Sequence, residues 1–137
     1  MNTSPERSAA IASWVYVIVV LGAILIATGA ILAIVRPAML VSPHDTINGA
    51  VHIYAGYLAS RNMAMAALLI VLLYLRARHA LANLMVLVAF VQVLDACMDC
   101  VEGRWMIAPG VLLFGLVFSI GAMRLSGYPF WRLEAWG

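Results

Sequence analysis

Polar positions in this chain gather in short clusters, and the stretches between them stay apolar over about twenty residues or more, the length a helical membrane span needs. The first apolar run covers about 10–35 and carries no charge. Arg36-Pro37 closes it, because proline disfavours helix in the residue before it and cannot donate to the helical ladder. Further runs cover about 47–75, 79–101 and 107–125. Gly103 and Pro109-Gly110 mark a turn before the last run, and Ser126-Gly127 with Pro129 follow it. The stretch 37–46 is the longest connection. Within it, Ser42-Pro43-His44-Asp45 is turn chemistry, with Asp45 a candidate N-cap for the second helix. No repeat, low-complexity segment or linker divides the chain. The pattern predicts one all-α domain over 1–137, an integral membrane four-helix bundle.

Composition supports this reading. Hydrophobic residues make up 66% of the chain and charged residues 10%, and the mean hydropathy is +1.04. Soluble domains run at about 45–50% apolar and about 25% charged, so a soluble enzyme, a disordered chain and a secreted disulfide scaffold are excluded. The first run is too long for a signal-peptide core of about 7–15 residues, so it reads as a retained span.

The charges orient the bundle. All eight basic residues are arginine, against six acids, for a formal charge of +2. The Arg76-Ala77-Arg78 step is the longest basic cluster, so no nucleic-acid partner is expected. One side of the bundle would carry Arg7, Arg76, Arg78, Arg124 and Arg132, and the other Arg36 and Arg104. The arginine-rich side is expected to be cytoplasmic, with both termini there, in a multi-pass protein of the bacterial inner membrane. Trp14, Trp105, Tyr128, Trp131 and Trp136 lie near span ends and read as interfacial anchors.

A charged residue in mid-span is costly and must find a partner or water. Arg61 is at the centre of the second span. On the third, Gln92, Asp95, Asp99 and Glu102 recur at helical spacing and share a face. Tyr54, Tyr57 and Arg61 share a face of the second span. The two spans are antiparallel across a tight turn, so the stripes can meet. Counted from the outer helix ends, Arg61 lies roughly 21 Å deep and Asp95 roughly 9 Å. An Arg61–Asp95 pair, direct or bridged, is expected, with Asp99 and Glu102 nearer the outer mouth. Several carboxyls against one arginine leave an acid in excess, which predicts one carboxyl kept neutral as a proton donor and another kept charged as a base. Asn62, about 100° around the helix from Arg61, reads as interhelical glue or a binding residue. The alternative for the whole cluster is an ion pair that fixes helix register.

Other features read as packing. Met63, Met65 and Met85 fill space. Cys97 and Cys100 form a C-x-x-C that is similar to vitamin K epoxide reductase-type enzymes, but the second, shuttling cysteine pair of that family has no counterpart, so both read as small hydrophobes. His44, His52 and His79 are too scattered for haem or zinc, and neither metal nor cofactor is expected.

The stretch Gly56-Tyr57-Leu58-Ala59-Ser60-Arg61-Asn62-Met63-Ala64 resembles a short glycine-to-Arg-[Asn/Asp] pattern of a family of small bacterial four-span membrane proteins of unknown function. In that family an aspartate followed by a glycine ends the next span, as Asp95, Asp99 and Gly103 do loosely here. The resemblance covers about 20–125 and implies a four-helix membrane fold without naming an activity. Small multidrug transporters share the size, but their acid lies in the first span, which here has none. The Asp–Arg–Asp grouping is similar in residue types to limonene-type epoxide hydrolases, whose fold is soluble and built on β-sheet, so that likeness is analogy about a site.

The expected function is a membrane-embedded enzyme acting on a lipophilic small molecule by acid–base chemistry, through epoxide opening, cyclisation or double-bond isomerisation. Asp95, Asp99 and Arg61 would be catalytic, and Tyr54, Tyr57, Asn62, Gln92 and Glu102 would bind substrate. The alternatives are a proton-coupled transporter, expected as a homo-oligomer, and an accessory subunit of a larger membrane complex.

Overall fold

A computed structural model describes residues 13–41 and 46–135. Within them four helices are long and apolar enough to cross a membrane: α1 (Ser13–Val35), α2 (Gly49–Tyr74), α3 (Arg78–Val101) and α4 (Ala108–Ser126). Short 3-10 turns cover Pro37–Leu40 and Leu133–Ala135. The helix ends fall within a few residues of those read from hydropathy. The protein is an all-α, multi-pass membrane bundle. Its outward surface carries Leu, Ile, Val and Phe along all four helices, a surface that suits acyl chains and not water.

The start of α2 departs from expectation. Asn48 caps it, its Oδ1 accepting from the amides of Ala50 and Val51 at 3.1 and 3.2 Å. Asp45 lies outside the described residues and four positions before the first helical residue, too early to cap this end. Between α2 and α3 the chain reverses in three residues. Arg76 takes a left-handed conformation, φ 54°, and the amides of Arg76 and Ala77 bond back to the carbonyls of Leu73 and Leu72. Gly103, φ 75°, plays the same part after α3, where the Arg104 amide reaches the Asp99 carbonyl at 2.7 Å.

The helices pair as two closely packed hairpins, α1 with α2 and α3 with α4, with lighter contact between the hairpins. Small residues make the close approach within each hairpin: Ala30 and Ala33 on α1, Ala55, Ala59 and Ala66 on α2, Ala82 and Ala89 on α3, Gly115 and Ala122 on α4. Gly115 lies so near α3 that a side chain there would press on the Ala89 carbonyl at 3.2 Å.

The bundle interior differs between its two ends. At the end of the α2–α3 turn it is dry and filled. Val15, Val19, Leu69, Leu81, Met85, Val88 and Phe118 are almost fully enclosed there. The Phe118 ring lies directly over Gly22, which joins the two hairpins. Toward the other end, the inward positions of α2 and α3 pass to Asn62, Gln92 and Asp95, and the packing opens into a cleft. No charged or polar residue among the described residues is fully buried.

Candidate functional site

The inward face of α2 follows helical spacing through Ala55, Ala59, Asn62, Ala66, Leu69 and Leu73, and that of α3 through Leu81, Met85, Val88, Gln92 and Asp95-Ala96. Each helix therefore places an amide in the same register that holds alkyl groups one turn below. The result is a cavity of about 270 Å³ lined by Leu25, Ile26, Gly29, Asn62, Gln92, Asp95, Gly110, Val111 and Phe114. Its floor is apolar, and Asn62, Gln92 and Asp95 supply its polar groups.

Arg61 lies on the flank of α2 that faces α3. Its Nη2 donates to both carboxylate oxygens of Asp95, at 3.1 and 3.4 Å. Its Nε donates to Asn62 Oδ1 at 3.4 Å. That donor identifies the Asn62 oxygen and leaves the amide nitrogen for the cleft. The side chains of Arg61 and Asp95 are 41% and 39% exposed, so protein does not seal the pair. Asp95 lines the cleft, while Arg61 lines a shallow depression of about 140 Å³ on the outer face of α2 with Tyr54, Tyr57 and Leu58.

The pair is direct, and the short α2–α3 turn explains how the axial gap closes. That turn fixes the register, so depth must be counted from it. Arg61 lies 13 residues before Tyr74 and Asp95 17 residues after Arg78. At about 1.5 Å per residue the depths are about 20 and about 26 Å, and a long side chain spans the remaining ~6 Å. Counting from the outer ends overstates the gap because α2 extends further outward than α3.

One expectation is corrected. Asp99 and Glu102 do not crowd Asp95 around one arginine. The left-handed turn at Gly103 folds the chain back so that Arg104 Nη1 lies 3.5 Å from Asp99 Oδ1 and 3.8 Å from Glu102 Oε2. Three acids thus meet two arginines, and neither Asp99 nor Glu102 lines the cleft. Arg104 also donates through Nη2 to the Met39 carbonyl at 3.3 Å, tying the α3–α4 turn to the loop after α1. Tyr54 and Tyr57, expected to bind substrate, line the depression beside Arg61 and not the cleft. Both are exposed on the outer face of α2.

The remaining candidates stand apart from the site. Cys97 is exposed, Cys100 is half-buried, and neither lines the cleft. His52 and His79 are exposed, and Met65 and Met85 are core residues. Trp14, Trp105, Tyr128 and Trp131 lie exposed at helix ends, as anchors would. Arg7, His44 and Trp136 lie outside the described residues.

The cleft can hold an apolar body against Leu25, Ile26, Val111 and Phe114 while presenting the Asn62 amide as donor and the Asp95 carboxylate as acceptor. In comparisons with known proteins, the chain matches no family model, no curated protein and no solved structure.

Proposed function

We propose that this protein is a membrane-embedded enzyme that takes a lipophilic small molecule into the cleft and moves a proton on it through Asp95. The observation that carries the reading is that the Asp95 carboxylate, held by Arg61 at 3.1 Å, lines a cavity of about 270 Å³ beside the amides of Asn62 and Gln92. A ligand oxygen would accept from the amide donors, and the carboxylate would be left facing the adjacent carbon. Asp95 would take a proton from that carbon, the electron pair would shift into the conjugated system toward the held oxygen, and the same carboxyl would return the proton further along. Atoms and charge balance without a co-reactant. The amides stabilise the oxygen as negative charge develops on it. Arg61 is a positioning residue, fixing both Asp95 and Asn62.

Double-bond isomerisation suits this site better than epoxide opening or cyclisation. Those reactions call for a second carboxyl in the cleft, and Asp99 is engaged by Arg104 outside it. Transport through one copy ranks lower, because the filled core around Phe118 and Leu69 stands across the inner end of the cleft. The resemblance to small bacterial four-span proteins, and the excess of Arg76, Arg78, Arg124 and Arg132 at the α2–α3 turn end over Arg36 and Arg104 at the other, favour a bacterial inner membrane with the turn end cytoplasmic.

The test uses wild type, Asp95→Asn and Gly29→Leu. Gly29 lines the cleft, and a Cβ there meets nothing nearer than Asn62 Nδ2 at 4.0 Å, so a leucine can enter the cavity. Small molecules that co-purify in mild detergent are identified by mass spectrometry, then incubated with each protein in D₂O. A defined lipophilic compound should accompany wild type and Asp95→Asn but not Gly29→Leu. Deuterium should enter it only with wild type. Bulk lipid alone in all three would sink the reading and favour a register-fixing pair or a subunit role. Equal deuteration by Asp95→Asn would remove Asp95 from the chemistry.

A further inference from the structure

Two concavities flank one ion pair. Asp95 faces the central cleft, and Arg61, 3.1 Å from it, faces the depression formed with Tyr54, Tyr57 and Leu58. The pair stands between α2 and α3, where the two hairpins meet lightly compared with the packing inside each hairpin. The Arg61–Asp95 contact therefore joins a residue that lines one space to a residue that lines the other.

The cleft is also small. Small-molecule pockets run at about 300–1,000 Å³, so a cleft of about 270 Å³ holds a short ligand and leaves the end of a longer chain outside, where the depression of about 140 Å³ adds room. The depression has mainly carbon surface, from two tyrosine rings and Leu58, and it opens on the side of α2 that faces lipid.

We propose that the ligand is a single-chain amphiphile with a small neutral head, and that its tail leaves the cleft between α2 and α3, past Arg61, to lie in the Tyr54–Tyr57 depression. This rests on the cleft being a binding site, and it adds the ligand class and the route. The head keeps the hydrogen bonds of Asn62, Gln92 and Asp95. The part of the chain that the cleft does not hold lies against the outer face of α2. Entry is lateral, from the bilayer, with the long Arg61 side chain swinging aside and re-forming its bond to Asp95 above the chain.

The probes are two prenyl alcohols of the same head and different length, geraniol with ten carbons and farnesol with fifteen. Binding to the full chain in mild detergent is read by native mass spectrometry as the ratio of the two affinities. The shorter probe fits the cleft alone, and the longer must use the depression. Wild type should bind farnesol about tenfold more tightly than geraniol. Leu58→Trp fills the depression, and Tyr57→Ala, at a position 75% exposed and so tolerant of change, removes one wall. In both, the ratio should fall toward one. A tenfold preference that survives both substitutions would overturn the proposed route. Gly29→Leu separates the two levels of argument. Loss of geraniol binding there, with the farnesol ratio unmoved by Leu58→Trp, keeps the cleft and refutes the tail path. Failure of wild type to bind either alcohol would overturn the ligand class proposed here, while a different co-purified compound would leave the cleft reading standing.

Discussion

Removing Arg61 tests how the middle of the bundle is held together. Arg61 lies 12 residues from Gly49 and 13 from Tyr74, so it stands at mid-span, about 18–20 Å from either helix end. Two limits bracket the effect. Fully solvated ion pairs contribute about 0.2–1 kcal/mol. Removing one partner of a buried pair costs about 3–5 kcal/mol, because the other charge is left alone in a poor solvent. The side chains here are 41% and 39% exposed, to the cleft and to the depression, which places the pair between the limits. Arg61→Met and Asp95→Leu should therefore each cost about 2 kcal/mol, and the double variant should lose about 1–2 kcal/mol less than the sum. Unfolding free energies of the four proteins in bicelles complete the cycle. Additivity within about 0.5 kcal/mol would show that the pair does not form in the bilayer. A coupling above about 3 kcal/mol would show that the pair is sealed from water and would remove the open cleft from the argument.

Two further outcomes follow from the backbone. Gly22→Ala drives a methyl into the Phe118 ring, which is fully enclosed and has nowhere to go, so it should cost about 1–3 kcal/mol in thermal unfolding. Phe118→Leu in the same chain should recover part of that loss, and a neutral Gly22→Ala would contradict the close contact of α1 with α4. Arg76→Gly relieves an L-residue held at φ 54°, a conformation that costs about 1–2 kcal/mol. After the added backbone entropy of glycine, a net gain of about 0.5–1 kcal/mol and a raised Tm are expected, and a lowered Tm would rule out the left-handed turn.

The spans were legible in the sequence because lipid demands long apolar runs, and Arg36-Pro37 and Gly103 interrupt them where the helices end. The Arg61–Asp95 pair was legible too, since both charges stand inside spans. What hydropathy could not show is which way each helix faces. In a membrane both the lipid side and the core side are apolar, so the contrast that marks an inward face in water is missing. The usable signal was size. Ala55, Ala59 and Ala66 recur at helical spacing, and Asn62 falls on their line, which places it inward and Tyr54 and Tyr57 outward. Arg104 was placed on the same outer side as Asp99 and Glu102, but its pairing with them was not read, because only Arg61 was counted against the acids. The left-handed Gly103 turns the chain back and returns the guanidinium to Asp99 and Glu102.

The separation of the ion pair along the chain has a consequence during synthesis. Asp95 is made 34 residues after Arg61. At about 5–20 residues per second, a nascent chain waits about 2–7 s for the second charge. Through that interval the α1–α2 hairpin carries a lone guanidinium at the depth where insertion costs about 2.5–3.5 kcal/mol. The first half of the protein is therefore a strained intermediate whose arginine draws in water or headgroups, and the arrival of α3 settles it. The charge balance of the bundle is thus completed only in late translation, after the charge-free first span has entered the membrane.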